Sequence, residues 1–401
     1  MSEFEGQPVA VEYEPVSVKD LLVEMKDTAE LLIDLAYSAV LHRSENIARE
    51  VLALEAKMDI LQVRARMSLM LAARSPDEAE QLAPVLGVVA GADKISDAAG
   101  DIAKIVLENV GLPDAMRGAL SEAVELLVRG TIDPDSVYAG RTLEDIDLES
   151  QTGVRVIAIR RDNEWILNPG LENRLEADDV VILRGPDPAI HDVYEIATDE
   201  AYEPQAMVEP EIDDLERAVD SIVLMKNLSE LGVDLAYGSV LYDNEALAEE
   251  VSNLEVEVDS LRSRFEAWAL RAAKEASDPV SLRGLIHLGV ATEEISDAAV
   301  EITEGVLRDL DVHPVVTLAV KESDELIDRV TIEPDSDLVG TAILDGMPEV
   351  DPSTSVIAIR RPGEGWFVGP DMDTQIEAGD VLLTKGTRGS AEEFRSLATA
   401  A

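Results

Sequence analysis

The chain of 401 residues has no cysteine, and aromatic residues make up only 3% of it. The absence of cysteine excludes disulfides, iron–sulfur clusters, thiol catalysis and cysteine-based zinc sites. Aromatic residues are too few for the stacking platforms that bind single-stranded nucleic acids. Histidine is also rare, and no nucleophile–base pair can be assembled around the four that are present, which are His42, His191, His287 and His313. The sequence therefore predicts a protein that is not an enzyme.

Basic residues are scarce as well. The chain has 33 Lys and Arg, of which 9 are Lys, against 83 Asp and Glu, which gives a formal net charge of −50. Such a chain repels phosphate backbones, so we expect no nucleic-acid partner. Hydrophobic residues still make up 46%, more than disordered acidic chains contain, so folded cores are expected. This composition is typical of adaptation to very high salt, where screening weakens self-repulsion.

Long hydrophobic runs are missing too. The longest apolar run, 82–92, contains one Pro and two Gly within 11 residues, whereas a membrane-spanning helix needs about 18–20 apolar residues. The first five residues, MSEFE, are acidic, which argues against a signal peptide. We therefore expect a soluble, cytoplasmic protein that reaches a membrane only through a partner.

What the sequence does contain is an internal duplication. The segment DLAY occurs at 34–37 and 234–237, ISDAA at 95–99 and 295–299, and VIAIRR at 156–161 and 356–361. All three pairs are separated by 200 residues, a period far above the 20–50 residues of solenoid repeats. Each copy is therefore a domain-scale unit, and the acidic segment 199–210 is the predicted linker.

Each copy changes character midway. Its first part has apolar residues at helical spacing, for example Leu247, Val251, Leu254, Val258 and Leu261, as expected for helices packed in a bundle. Breaks near 42–45, 73–77 and 111–113 predict three long helices and a shorter fourth helix at about 113–129. Short apolar runs then predict strands at 155–159, 165–167 and 180–183 and a closing helix at 189–197. Each copy is thus predicted to be a helical bundle followed by a small α+β unit.

The α+β part contains an ordered set of segments at 140–143, 145–148, 154–161, 166–169 and 178–185, which returns at 340, 356–361, 367–370, 379–383 and 386. This ordered set resembles the TrkA C-terminal (TrkA-C) domain. TrkA-C domains are the ligand-sensing half of the RCK modules that regulate potassium channels and transporters. The resemblance implies a small βαβββα domain that pairs with another to enclose a ligand pocket at the interface.

The helical part resembles the PhoU family of three-helix bundles, through Leu54, Glu55 and Asp59 on one helix and Asp93 and Asp97 on the next. The whole chain resembles a duplicated PhoU and TrkA-C fusion of halophilic-archaeal type, from the family of potassium transport regulators. The implied fold class is α+β multidomain. The predicted order is a bundle (1–129), a TrkA-C-like domain (130–198), the linker (199–210), a second bundle (211–329) and a second TrkA-C-like domain (330–401).

A ladder of carboxylates could bind a metal ion. Residues 55 and 59 lie four apart on one helical face, as do 93 and 97, and each position is acidic in both copies. Converging carboxylates without Cys or His suit a hard divalent cation, and PhoU proteins carry metal clusters on motifs of this kind. The alternative is a solvated surface of a salt-adapted protein. The candidate ligands are Glu55, Asp59, Asp93, Asp97, Glu255, Asp259, Glu293 and Asp297.

Paired arginines end the VIAIRR strand of each copy. Because side chains alternate across a strand, one arginine of each pair could face an anionic ligand, and the alternative is pairing with local carboxylates. The TrkA-C resemblance also implies a ligand-binding role for the arginine at the start of this strand in the first copy and for the proline that follows the next strand in each copy. The predicted ligand-binding residues are Arg155, Arg160, Arg161, Pro169, Arg360, Arg361 and Pro370. Glu149 occupies a place where cyclic di-adenylate binders carry a basic residue, which disfavours that nucleotide and leaves the ligand open.

Two functions are consistent with this sequence. The first is a cytoplasmic, ligand-sensing regulator of potassium or other cation transport, which acts as a homodimer on a separate membrane channel or transporter. The second is a PhoU-type metal-binding regulator of phosphate uptake, in which the TrkA-C units serve only for dimerisation.

Overall fold

A computed structural model describes most of the chain. The described residues are 16–113, 126–162, 164–167, 169–185, 187–202, 212–276, 278–308, 310, 313–322, 326–336, 338–343, 355–363, 365–368, 370, 374–386 and 388–398. The elements of the first half are α1 (Val18–His42), α2 (Glu45–Ala72), α3 (Pro76–Leu107), β1 (Leu126–Thr131), α4 (Leu143–Ile146), α5 (Leu148–Thr152), β2 (Arg155–Arg161), β3 (Glu164–Leu167), β4 (Val180–Gly185) and α6 (Asp187–Thr198). Those of the second half are α7 (Asp213–Tyr242), α8 (Glu245–Glu275), α9 (Arg283–Leu307), α10 (Pro314–Glu322), β5 (Leu326–Thr331), β6 (Ser355–Arg361), β7 (Gly365–Val368), β8 (Val381–Gly386) and α11 (Arg388–Ala398).

Polar N-caps fix the starts of the long helices. The hydroxyl oxygens of Ser17, Ser44 and Ser75 accept hydrogen bonds from backbone N–H groups three residues ahead, at 3.1, 3.2 and 3.2 Å. Asn244 caps α8 in the same way. These caps satisfy N–H groups that have no partner inside the helix. The breaks predicted near 42–45 and 73–77 separate α1, α2 and α3, and α3 ends at Leu107, a few residues before the break predicted at 111–113.

The six long helices of the two halves share one hydrophobic core. The halves meet where α3 crosses α9, and small residues allow the backbones to approach closely. A Cβ atom on Gly91 would lie 2.5 Å from the side chain of Ile302, and a Cβ atom on Gly305 would lie 2.5 Å from Pro84. Because residue 84 meets 305 while 91 meets 302, the two helices run antiparallel at this crossing.

Each half also contains a four-stranded antiparallel sheet, in the order β1-β4-β2-β3 and β5-β8-β6-β7. One face of the first sheet, including Ile157 and Ile182, joins the core of the helical bundle. The opposite face, including Ile159 and Val181, packs against α6 in a separate small core. The sheet is therefore buried on both sides, and its bundle-facing side joins it to the helices. The chain alternates helical bundles with small α+β domains, which confirms the predicted fold class.

One element differs from the sequence prediction. The first sheet begins at Leu126, inside the range 113–129 predicted as a short helix. Leu126 to Thr131 pair with Gly185 to Val180, so pairing with a distant strand overrides a local pattern that reads as helical. In the second half, the corresponding short helix is α10. Residues 114–125 lie outside the described part of the chain.

No helix in the described part of the chain combines the length and the apolar character needed to cross a membrane.

Candidate functional site

The second arginine of each pair anchors a turn within its own domain. The guanidinium of Arg161 donates to both carboxylate oxygens of Asp179, at 2.8 and 2.6 Å, and Arg361 donates to Asp380 at 3.0 and 2.9 Å. Asp179 and Asp380 are 1% and 0% exposed, so each buried carboxylate needs such a partner. The hydrogen bond to Asp179 also raises the pKa of Arg161. Both arginines therefore hold the turn that precedes the strands β4 and β8.

The first arginine of the first pair reaches out of its domain to the helical bundle. Arg160 Nη2 donates to Glu50 Oε1 of α2 at 2.7 Å, and Arg129 Nε of β1 donates to the same oxygen at 3.2 Å. The Glu50 side chain is 7% exposed. One buried carboxylate thus fastens β1 and β2, the strands on either side of β4, to α2. We call Glu50, Arg129 and Arg160 the Glu50 anchor.

The second half keeps the residue types of the Glu50 anchor, as Glu250, Arg329 and Arg360, but not its burial. Arg329 and Arg360 are exposed, and Glu250 is half-buried. Its sheet is tied to the bundle at β8, where Lys385 Nζ lies 2.6 Å from Asp234 and 3.8 Å from Glu30. The first half has the equivalent pair, since Arg184 of β4 lies 3.4 Å from Asp34 of α1. The two domains therefore share one ion pair to the bundle, and among the described residues the Glu50 anchor is formed in the first half alone.

The remaining predicted ligand residues are spread along the sheet. Arg155 begins β2, opposite Arg184 of β4, whereas Arg161 ends the same strand. Arg155 and Arg161 lie six residue steps apart along the strand, which amounts to about 20 Å. Pro169 and Pro370 are half-buried after the following strands. Within one domain, these side chains do not surround one small ligand, and their role in ligand binding stays a prediction.

The carboxylates of α2 and α3 interact electrostatically. Desolvation, followed by like-charge repulsion from Asp59 of α2, raises the pKa of Asp97 of α3, and Asp59 also contributes to the raised pKa of Asp93. Desolvation and the charge of Asp97 are the leading causes that raise the pKa of Asp93 to about 6. Desolvation also raises the pKa of Glu55, with smaller contributions from Asp97 and Asp101.

Basic side chains offset part of this negative charge. Lys104 Nζ lies 2.9 Å from Asp101 and 3.5 Å from Glu55. In the second half, desolvation and Asp259 raise the pKa of Glu255.

Two ion pairs involve the candidate metal ligands of the second half. Arg262 lies 2.8 Å from Glu293, and Lys94 of α3 lies 3.0 Å from Asp297 of α9, across the junction of the halves. Among the described residues, no three acidic or histidine side chains are placed to hold one metal ion. Metal binding by the ladder stays a prediction.

Sequence reasoning missed the Glu50 anchor, because its three residues lie on different elements. The recurrence of Glu50 and Arg129 as Glu250 and Arg329 does not signal it, because Arg329 is exposed and Glu250 half-buried in the second half.

Together, these features define a duplicated chain in which small α+β domains are fastened by ion pairs to a common helical bundle. The model of the PhoU domain matches residues 22–106 and 222–306, and the model of the TrkA-C domain matches residues 127–198 and 328–399. The chain therefore belongs to the proteins that carry PhoU and TrkA-C domains in tandem, as the sequence predicts. No match was found among curated proteins.

Solved structures with detectable similarity include two of the GsuK channel. The first is 12% identical over 72% of this chain and 54% of that chain, with a TM-score of 0.19. The channel bound to NAD is 12% identical over 68% and 52%, with a TM-score of 0.18. The GsuK RCK domain is 13% identical over 83% and 82%, with a TM-score of 0.18. The chain spans about half the length of the two channel chains, and at these scores the similarity carries no argument about function.

Proposed function

We propose that this protein is a cytoplasmic, non-enzymatic regulator of potassium or other cation transport, which acts as a homodimer on a separate membrane channel or transporter. In this proposal the TrkA-C domains respond to a small ligand and the helical bundle passes the response to the membrane partner. The assignment to potassium transport rests on the two TrkA-C domains, since RCK modules with this domain regulate potassium channels and transporters.

The observation that carries the proposal is the way the TrkA-C domains are joined to the bundle. Glu50 binds two arginines of the first sheet, and Lys385 ties the second sheet to helices of both halves. A ligand can shift a conformational equilibrium only if it binds the two states with different affinities. Ion pairs between a sheet and a bundle provide such states, because they form in the docked arrangement and break in another.

Capture of the membrane partner tests the proposal. The tagged full-length protein is bound to detergent-solubilised membranes of its own host at the native salt concentration, and the membrane proteins retained are identified. A tagged acidic protein of similar charge is the control, because a net charge of −50 retains basic proteins without specificity. Enrichment of a potassium channel or transporter over this control supports the proposal, and its absence from the retained proteins contradicts it.

A second candidate function is a metal-dependent regulator of phosphate uptake. It is favoured by the two PhoU domains and by the facing carboxylates of α2 and α3, whose mutual repulsion a bound cation would relieve. Metal analysis of the purified protein tests it. This function predicts stoichiometric iron, zinc or manganese that is lost in a Glu55→Ala and Asp97→Ala double variant, together with enrichment of a phosphate permease in the capture experiment.

A further inference from the structure

A cavity of about 320 Å³ opens between the first TrkA-C domain and the bundle. Helices α1 and α2 form one side, and the edge strand β3 forms the other. Its polar lining consists of Asp20, Glu24 and Asp27 from α1 and Lys57 from α2, and Trp165 from β3 supplies an aromatic surface. This volume lies at the lower end of the range of small-molecule sites, about 300–1,000 Å³.

The charges of the cavity favour a cation. Three carboxylates and one ammonium group line it, and the ammonium of Lys57 lies 2.7 Å from Glu24, whose side chain is 41% exposed. Asp27 is 9% exposed, so water screens its charge only weakly. Asp20 stands at the rim, 61% exposed and 3.7 Å from Lys19. The half-buried Trp165 adds an indole ring, and organic cations bind to indole faces through the ring quadrupole.

The duplication shows that this set of charges belongs to the first half alone. The second half keeps the acid and the tryptophan, as Asp220 and Trp366. At the positions of Glu24, Asp27 and Lys57, however, it has Leu224, Asn227 and Glu257. The combination of Glu24, Asp27 and Lys57 is therefore specific to the first half.

We propose that this cavity binds a small organic cation, an alkylammonium or quaternary ammonium ion, whose charged nitrogen lies between Glu24, Asp27 and the indole of Trp165. The ligand contacts both β3 and α1, so it stabilises the docked arrangement of the first TrkA-C domain. The site does not depend on the identity of the membrane partner, and purified protein is enough to test it.

The test is calorimetric titration of the full-length protein with choline chloride, at an ionic strength held constant with potassium chloride. Choline is expected to bind saturably, one per chain. The Glu24→Gln and Asp27→Asn double variant is expected to bind at least about tenfold more weakly, which corresponds to about 1.4 kcal/mol. The matched control, Asp220→Asn with Glu257→Gln, removes the same charge from the second half and is expected to stay within about twofold of the wild type. Absence of saturable binding, or equal losses in both double variants, would overturn the proposal.

A third variant keeps the test decisive if the double variant does not fold. Lys57→Met removes the ammonium that competes for Glu24 and keeps a side chain of similar length. A cation site then binds choline more tightly than the wild type does. Weaker binding of choline by Lys57→Met would contradict a cation site. If the wild type binds chloride or acetate and Lys57→Met does not, the cavity is an anion site instead.

Discussion

Removing the charge of Glu50 is the substitution with the clearest expected effect on domain docking. Its side chain is 7% exposed, and the side chains of Arg129 and Arg160 are 20% and 23% exposed. Breaking a buried ion pair by removing one partner costs about 3–5 kcal/mol, because the other charge is left without compensation. The two arginines are partly hydrated already and recover some hydration, so we expect Glu50→Gln to lower the free energy of unfolding by about 2–3 kcal/mol.

The second half provides the matched control. Glu250→Gln removes the same charge at the equivalent position, where Arg329 and Arg360 are exposed, and we expect a cost below about 1 kcal/mol. Urea unfolding at high potassium chloride measures both variants. Hydrogen exchange of β1 and β2 shows whether the loss is local, since these strands should exchange faster in Glu50→Gln alone. If both variants lose the same free energy of unfolding, or if Glu50→Gln loses less than about 1 kcal/mol, the Glu50 anchor does not stabilise the docked domain as proposed.

Three further predictions concern stability. The pKa of Asp93 is raised from 3.8 to about 6 in the folded protein. The ionised carboxylate therefore destabilises the fold by its full amount above about pH 6, and this effect disappears below about pH 4, where Asp93 is protonated in both the folded and the unfolded protein. With a discount for its partial exposure, Asp93→Asn should raise the free energy of unfolding by about 1–2 kcal/mol at about pH 8 and leave it unchanged near pH 4, as measured by urea unfolding with a chelator. Gly91→Ala should lower the free energy of unfolding by about 1–3 kcal/mol, because the new Cβ atom would clash with Ile302. Gly232→Ala should not lower it, because the nearest neighbour of its Cβ atom lies 3.7 Å away. Thermal unfolding of the two variants checks this difference. The melting temperature should rise between about 0.1 and 3 M potassium chloride as screening weakens self-repulsion, and a fall would contradict the interpretation of the composition as salt adaptation.

Local sequence patterns predicted most of the fold. Apolar spacing and the breaks between periodic stretches located the long helices, and short apolar runs located β2, β3 and β4 to within a few residues. β1 was missed because Leu126 to Thr131 follow a segment of helical composition. What makes this segment a strand is its pairing with β4, more than fifty residues away. Such pairing depends on tertiary contacts that a local window does not contain.

The candidate site was predicted less completely. Helical spacing placed the acidic residues of each helix on one face, which agrees with the electrostatic interaction between Asp59 and Asp97. The partner of Arg160 did not follow, because Glu50 lies 110 residues away on another element. The pattern of the strand indicated only that the two arginines point in opposite directions. It could not show that one holds a turn of its own domain while the other holds the bundle.

The proposed role in potassium transport can be tested by measuring ion fluxes in cells that lack this protein. Uptake of potassium and of phosphate is measured in the same cells, with and without the gene restored on a plasmid. Loss of the protein is expected to change the potassium flux, restoration is expected to reverse the change, and phosphate uptake is expected to be unaffected. A changed phosphate uptake with an unchanged potassium flux would contradict the proposed role.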